Sequence, residues 1–138
     1  MSVRRAFINI FSDSLAETRD FYTSLFGWRV EYDSDWFVHL QAPDNDSVEL
    51  GIVRRDHEIV PLGAGSTPRG VLLTIVVDDV DALYERCKAH SVSIVEPPRN
   101  MFYGQRRMII QDPVGTLVDA SSACDPDPAF LEKVHERD

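Results

Sequence analysis

Apolar and polar residues alternate from Phe7 to Phe11 in "AFINIF", the period of a strand with one buried face. Ser14 followed by Glu17 reads as a capping box, so a helix is predicted to start there. Leu15, Tyr22, Leu25 and Phe26 mark its buried side, and Gly27 is placed to end it. "WRVEY" (28–32), "DWFVHLQ" (35–41) and "VELGIV" (48–53) read as strands, the last two joined by the turn "APDNDS" (42–47). Polar residues with Gly and Pro then fill 54–69, a predicted linker or mobile loop.

The same grammar returns in "LLTIVVDDVDALYERCKAHSV". A strand (71–77) leads to a helix capped by Asp79, with Val80, Leu83, Tyr84 and Cys87 on one face. A strand follows at 92–96, and Pro97-Pro98 opens a loop through "RNMFYG". "QRRMIIQ" (105–111) and "GTLVDAS" (115–121) form a hairpin across Asp112-Pro113-Val114-Gly115. Asp127 before Pro128 starts a short terminal helix. The order strand–helix–strand–strand–strand therefore occurs twice. Laying Phe7 on Leu72 aligns Asp13 with Asp78 and, after insertions, Glu49 with Asp119. Two copies are too few for an extended array, so a shared cleft is expected. The reading is an α+β protein of two tandem βαβββ modules: a single domain over 1–123 (module 6–54, linker 55–69, module 70–123) and a tail over 124–138.

Composition narrows the function. The net charge of −9 repels phosphate backbones and anionic lipid, which argues against nucleic acid and membrane. No apolar run approaches a membrane span, and the apolar stretch of "MSVRRAFINIF" is short and broken by Asn9, so a cytoplasmic protein is expected. Cys87 and Cys124 lack a CxxC spacing and read as inert thiols.

"FSDSLAETRDFYTSLFGW", "VVDDVDAL" and "YGQRRMIIQDPVGTLVDAS" give residues 6–121 a resemblance to the vicinal-oxygen-chelate superfamily. That superfamily includes glyoxalase I, extradiol dioxygenases, fosfomycin-modifying enzymes and bleomycin-binding proteins. The resemblance implies a glyoxalase-like fold, its mixed sheet curled around a ligand cleft, and commonly a homodimer. It also implies, in metal-dependent members, one ligand from the first strand of each module, often His, and an acidic one from the last. The matching positions here are Phe7, Glu49, Leu72 and Asp119. Phe and Leu cannot ligate a metal ion. Two carboxylates, Glu49 and Asp119, would hold a hard divalent cation only weakly, so no cofactor is expected.

With Glu49 facing the cleft, strand alternation assigns the other faces. Phe7, Asn9, Phe11, Phe37, His39 and Gln41 join Glu49, with His39 opposite it across the hairpin. Leu72, Thr74, Val76, Leu117 and Asp119 line the second module. The loop adds Met101, Phe102 and Tyr103 as a lid, with Arg106 or Arg107 nearby. His57, His90 and His135 lie in loops or near helix ends and read as solvated. An apolar, aromatic cleft with a few polar groups suits a small-molecule ligand. The leading reading is a protein that binds an aromatic or cationic organic molecule without the usual metal. The alternatives are a lyase, isomerase or dioxygenase with a displaced metal site at His39, Glu49 and Asp119, or metal-free proton transfer by the same acids. A further one is an interaction domain whose pocket is filled by Phe7, Phe11, Phe37 and Leu72.

Overall fold

Strand alternation and helical spacing recur in the three-dimensional structure, with several shifted boundaries. The computed structural model describes the backbone of residues 1–137 and the side chains of residues 1–133. His135 therefore lies outside the residues whose side chains are described, and Asp138 outside the described chain. The contacts divide the chain into two units, Met1–Val71 with Asp112–Thr116, and Leu72–Gln111 with the residues from Leu117 onward.

The first unit contains β1 (Ile8–Ser12), α1 (Leu15–Phe26), β2 (Arg29–Asp33), β3 (Phe37–Ala42) and β4 (Asn45–Arg54). They form a mixed sheet in the order β1-β4-β3-β2, with β1 parallel to β4 and the other pairs antiparallel. Val38, Leu40, Leu50 and Ile52 are almost fully buried on the phase that faces α1, joined by Ile10. Each such side chain contributes about 1.5–3 kcal/mol of transfer free energy. Helix α1 answers with Thr18, Tyr22 and Leu25, which fall on one stripe. Thr18 is a buried residue that apolar spacing did not mark, whereas Leu15 and Phe26 are only half-buried. Its hydroxyl meets that of Ser12 at 2.9 Å, which satisfies both. Gly27 ends α1 in the left-handed conformation (φ 70°), and its N–H donates to the Thr23 carbonyl.

The predicted capping box does not form. Ser14 is the N-cap, but its hydroxyl donates to the Glu17 carboxylate at 3.4 Å instead of accepting from the helix backbone. The Ser14 N–H donates to Ser12 Oγ, so the entry is fixed from β1. The predicted turn 42–47 contracts to Pro43-Asp44, because β4 already pairs at Asn45. The segment after β4 has no regular element but is anchored. Arg55 bonds Asp13, the Phe11 carbonyl and the Gly65 carbonyl. His57 stacks on Trp36 at 4.3 Å, so it is not the freely solvated side chain expected.

The second unit contains β5 (Leu73–Val76), α2 (Val80–Ala89), β6 (Ser93–Asn100), β7 (Gln105–Gln111), β8 (Leu117–Ala123) and α3 (Pro128–Arg137). Its sheet runs β5-β8-β7-β6, again with one parallel pair, β5 with β8. Val80, Leu83 and Cys87 of α2 are buried, as are Met108, Ile110, Val118 and Ala120 of the sheet. Burial pushes the Cys87 thiol up to about 11. Asp79 caps α2 as expected, accepting from the Ala82 N–H at 3.1 Å. Asp127 does the same for α3, accepting from Ala129. Strand β6 continues through Pro97-Pro98, where a loop was predicted. It is an edge strand with two irregularities, a setting in which missing N–H groups are tolerated.

The β7–β8 turn shows why β8 starts at Leu117 rather than at Gly115. Asp112 Oδ1 accepts from the N–H groups of Val114 and Thr116, which holds Thr116 inside the turn. Gly115 supplies the positive φ of 95°. Asp112 Oδ2 accepts from the Tyr22 hydroxyl at 2.7 Å. Tyr22 is fully buried and Asp112 nearly so, and burial first, then the Asp112 charge, holds the phenol well above its usual range. Tyr22→Phe strands one carboxylate oxygen of Asp112. The expected loss is about 1–3 kcal/mol, read as a lower urea midpoint at unchanged m.

Candidate functional site

Glu49 lies on β4 in phase with Gly51 and Val53, opposite the face buried by α1. The ladder sets Gln41 directly across from Glu49 and Gly51 across from His39. This corrects the expected His39–Glu49 opposition. His39 reaches Glu49 along the diagonal instead, with Nε2 to Oε1 at 2.7 Å. Gly51 makes room on this face. A Cβ there would lie 2.0 Å from Asn9 Oδ1 and 3.1 Å from Phe37 Cε1. The Asn9 side chain occupies the space over that glycine.

Arg5 completes the cluster. Its Nε donates to both carboxylate oxygens of Glu49, at 3.0 and 2.7 Å, and its Nη2 also donates to Oε1. Nη2 lies 3.2 Å from His39 Nε2. One imidazole nitrogen cannot donate to Glu49 and accept from Arg5 together. The shorter contact, to the carboxylate, assigns the Nε2 proton to the Glu49 hydrogen bond. The guanidinium also lies over the Phe7 ring, 4.8 Å from its centroid. The residue pattern alone did not single out Arg5. The signal was available: Arg5 lies two residues before Phe7, in the phase of Phe7, Asn9 and Phe11.

The Glu49 side chain is only 5% exposed, that of His39 14% and that of Arg5 55%. The Arg5 guanidinium, helped by His39 and opposed by desolvation, holds the Glu49 carboxyl down at about 2. The rings around the cluster form a continuous series. Phe7 and His39 centroids are 5.9 Å apart, and His39 and Phe37 are nearly parallel at 6.4 Å. Phe37 continues to Trp36 at 5.4 Å and Tyr32 at 6.0 Å. Gln41 accepts from Arg29, and Phe11 is half-buried with its carbonyl on Arg55.

In the second unit Thr74 pairs with Asp119 on the parallel ladder, and its hydroxyl donates to Asp119 Oδ2 at 3.2 Å. Asp119 is 7% exposed, and its Oδ1 has no hydrogen-bond partner among the described residues. The same holds for Arg107 Nε and Gln105 Oε1, which share its face of the sheet. Arg106 points to the helix side, where it pairs with Asp81 of α2, so Arg107 is the arginine on the Asp119 face. Leu72 is 47% exposed. Met101–Gly104 forms a tight turn, closed by its own backbone bonds and tied through Phe102 and Gly104 to the segment before α3. Phe102 packs edge-on against Phe130, with Tyr103 beside it.

The ladders also revise one equivalence between the units. With N-cap Ser14 matched to N-cap Asp79, Asn9 corresponds to Thr74. Asn9 pairs with Gly51 and Thr74 with Asp119, so Asp119 takes the place of Gly51, and Glu49 that of Leu117. The donor set does not fit a bound divalent ion. In the first unit both Glu49 oxygens are engaged by a cation. In the second, Asp119 accepts the Thr74 hydroxyl on one oxygen, and its other oxygen has no partner among the described residues. Among the described residues no group of three or more His, Cys, Asp or Glu side chains is placed to hold a metal. A separate depression of about 810 Å³ lies along the loop after β4, lined by Asp13, Arg54, Arg55, Asp56 and His57. Both its arginines are already paired with aspartates, and it includes none of the cluster residues.

A carboxyl whose pKa falls on folding stabilises the fold above its unfolded value and loses that contribution as pH falls. For Glu49 the window runs from the ordinary 4.5 down to about 2. Acid titration of wild type against Glu49→Gln, followed by urea unfolding, is expected to show the wild type losing stability faster across that window.

The family model of the Glyoxalase/Bleomycin resistance protein/Dioxygenase superfamily matches residues 4–119. No curated protein matches the chain at a significant level. Several solved structures share the fold. One is a member of that superfamily from Sphaerobacter thermophilus (TM-score 0.70, 20% identity, covering 88% of this chain and 98% of that one). Another is a glyoxalase/bleomycin resistance protein/dioxygenase family enzyme from Burkholderia phytofirmans (0.72, 22%, 85% and 96%). A third is a glyoxalase-related enzyme from Fulvimarina pelagi (0.74, 21%, 86% and 87%). With a family match over most of its length and two βαβββ units in its fold, this chain belongs to the Glyoxalase/Bleomycin resistance protein/Dioxygenase superfamily.

Proposed function

We propose that the protein binds a small organic molecule with a planar aromatic part, without a metal ion, on the first-sheet face that carries Phe7, Phe37 and His39. The observation that carries this reading is the condition of Glu49. Its oxygens are held by a guanidinium and an imidazole, while the first-strand positions of the resemblance are hydrocarbon, Phe7 and Leu72. What the face offers a ligand is a run of rings with polar groups at one end, the usual make-up of a small-molecule site. A planar ring laid on Phe37 and His39 gains stacking and releases water from both surfaces. Sequestration of a toxic aromatic compound is the concrete form of this activity.

The proposal includes a homodimer. Strands β1 and β5 border their sheets, and Ile8, Leu72 and Val76 near those borders are 48%, 47% and 68% exposed. Exposed apolar residues along a sheet edge favour association. It also includes the cytoplasm, where the unpaired Cys87 and Cys124 stay reduced. No described helix is long and apolar enough to cross a membrane.

Indole and quinoline, titrated by calorimetry and by amide chemical shifts, are the direct test. Binding is expected to perturb residues around Phe37 and to weaken about tenfold in Phe37→Ala, or ~1.4 kcal/mol. Folded wild type that responds to neither compound overturns the proposal. A stoichiometric Ni, Zn, Mn or Fe ion that is lost on Glu49→Gln replaces it with the reading of a lyase or dioxygenase with a displaced metal site.

A further inference from the structure

The contacts of Arg5 are those of a ligand. A planar cation places two of its nitrogens against one carboxylate, lies over one aromatic face and borders an imidazole. This is how proteins hold guanidinium and amidinium groups. Site and occupant differ in how firmly they are built. Glu49 and His39 are fixed by the β3–β4 ladder, with side chains 5% and 14% exposed. Arg5 is 55% exposed and belongs to the segment ahead of β1, whose ladder with β4 begins only at Ile8. The half of the ion pair that is embedded is the anionic half.

We infer that Glu49, His39 and Phe7 form a binding site for a planar amidinium or guanidinium group, and that Arg5 is its tethered occupant, which yields to a ligand carrying such a group. The inference rests on the reading of this face as ligand-binding and deepens it. A ligand with an amidinium next to an aromatic ring would place the cation on Glu49 and the ring toward His39 and Phe37, whose planes differ by 8°. Exchange is isoelectric, since one monocation replaces another and Glu49 stays paired. Arg5, whose side chain is already half-exposed, is solvated on release, and the incoming cation spares Glu49 the unpaired charge that makes an embedded ion pair costly to open. A metal ion is a poorer replacement, because Glu49 and His39 offer it only two donors. The tether acts as a threshold: Arg5 competes at a high effective concentration, so only a ligand with added ring contacts displaces it.

The test uses benzamidinium with the full chain, wild type and Arg5→Ala, by calorimetry and by carbon NMR of the Glu49 carboxyl. Arg5→Ala is expected to bind benzamidinium at least about tenfold more tightly than wild type, because the competitor is gone. The Glu49 carboxyl, which rises when Arg5 is removed, is expected to fall again on saturation. Adding Glu49→Gln to Arg5→Ala abolishes the gain, and benzamide, uncharged and of the same shape, does not reproduce it. If Arg5→Ala loses its near-UV circular dichroism, Arg5→Lys, which keeps the charge but not the planar fork, is expected to give a smaller gain of the same sign. Benzamidinium bound no more tightly by the folded variant than by wild type overturns the inference and identifies Arg5–Glu49 as a permanent structural pair. If indole still binds wild type in that case, the broader reading survives; if neither compound binds, both fail.

Discussion

Each four-stranded sheet in this protein packs against the helix that follows its first strand, α1 or α2, and a helix covers one face. That constraint orders everything else. In the first sheet Val38, Leu40, Leu50 and Ile52 are committed to α1, so Phe37, His39, Glu49 and Gly51 must share the opposite face. The register enforces the division, because a slip by one residue would exchange the two sets. In the second sheet Met108, Ile110, Val118 and Ala120 go to α2, and Arg107 and Asp119 follow by the same parity.

The two units treat an acidic residue on the second face differently. Glu49 gains a full cationic partner and an imidazole, which makes ionisation easy. Asp119 gains one hydroxyl and keeps an oxygen without a partner among the described residues. The ladder places these acids at non-equivalent positions, so they are not two halves of one internally repeated ligand set. Glycine at the Asp119-equivalent position in the first unit leaves space for Asn9 and Phe37, which turns that face toward ring packing.

Much of this was legible in the residue pattern. The eight strands and three helices, the Asp79 and Asp127 caps, the Gly27 stop and the faces of β3 and β4 follow from period-two and period-3.6 spacing. The misses have physical causes. Thr18 is buried because a serine hydroxyl on β1 meets it, and a pattern of apolar positions does not register a satisfied hydroxyl. Strand β8 begins late because the Asp112 side chain holds Thr116 in the turn. His39 meets Glu49 diagonally because a two-residue turn with a bulge sets the register, which strand spacing alone leaves free. Arg5 escaped notice because it precedes the first paired residue of β1, where periodicity no longer signals a strand.

Pro97 and Pro98 interrupt the outer border of β6. Neither can lend a proton to a neighbouring backbone, so that margin is a poor template for a stranger's strand. Addition of a further strand is thereby blunted along that border of the second sheet.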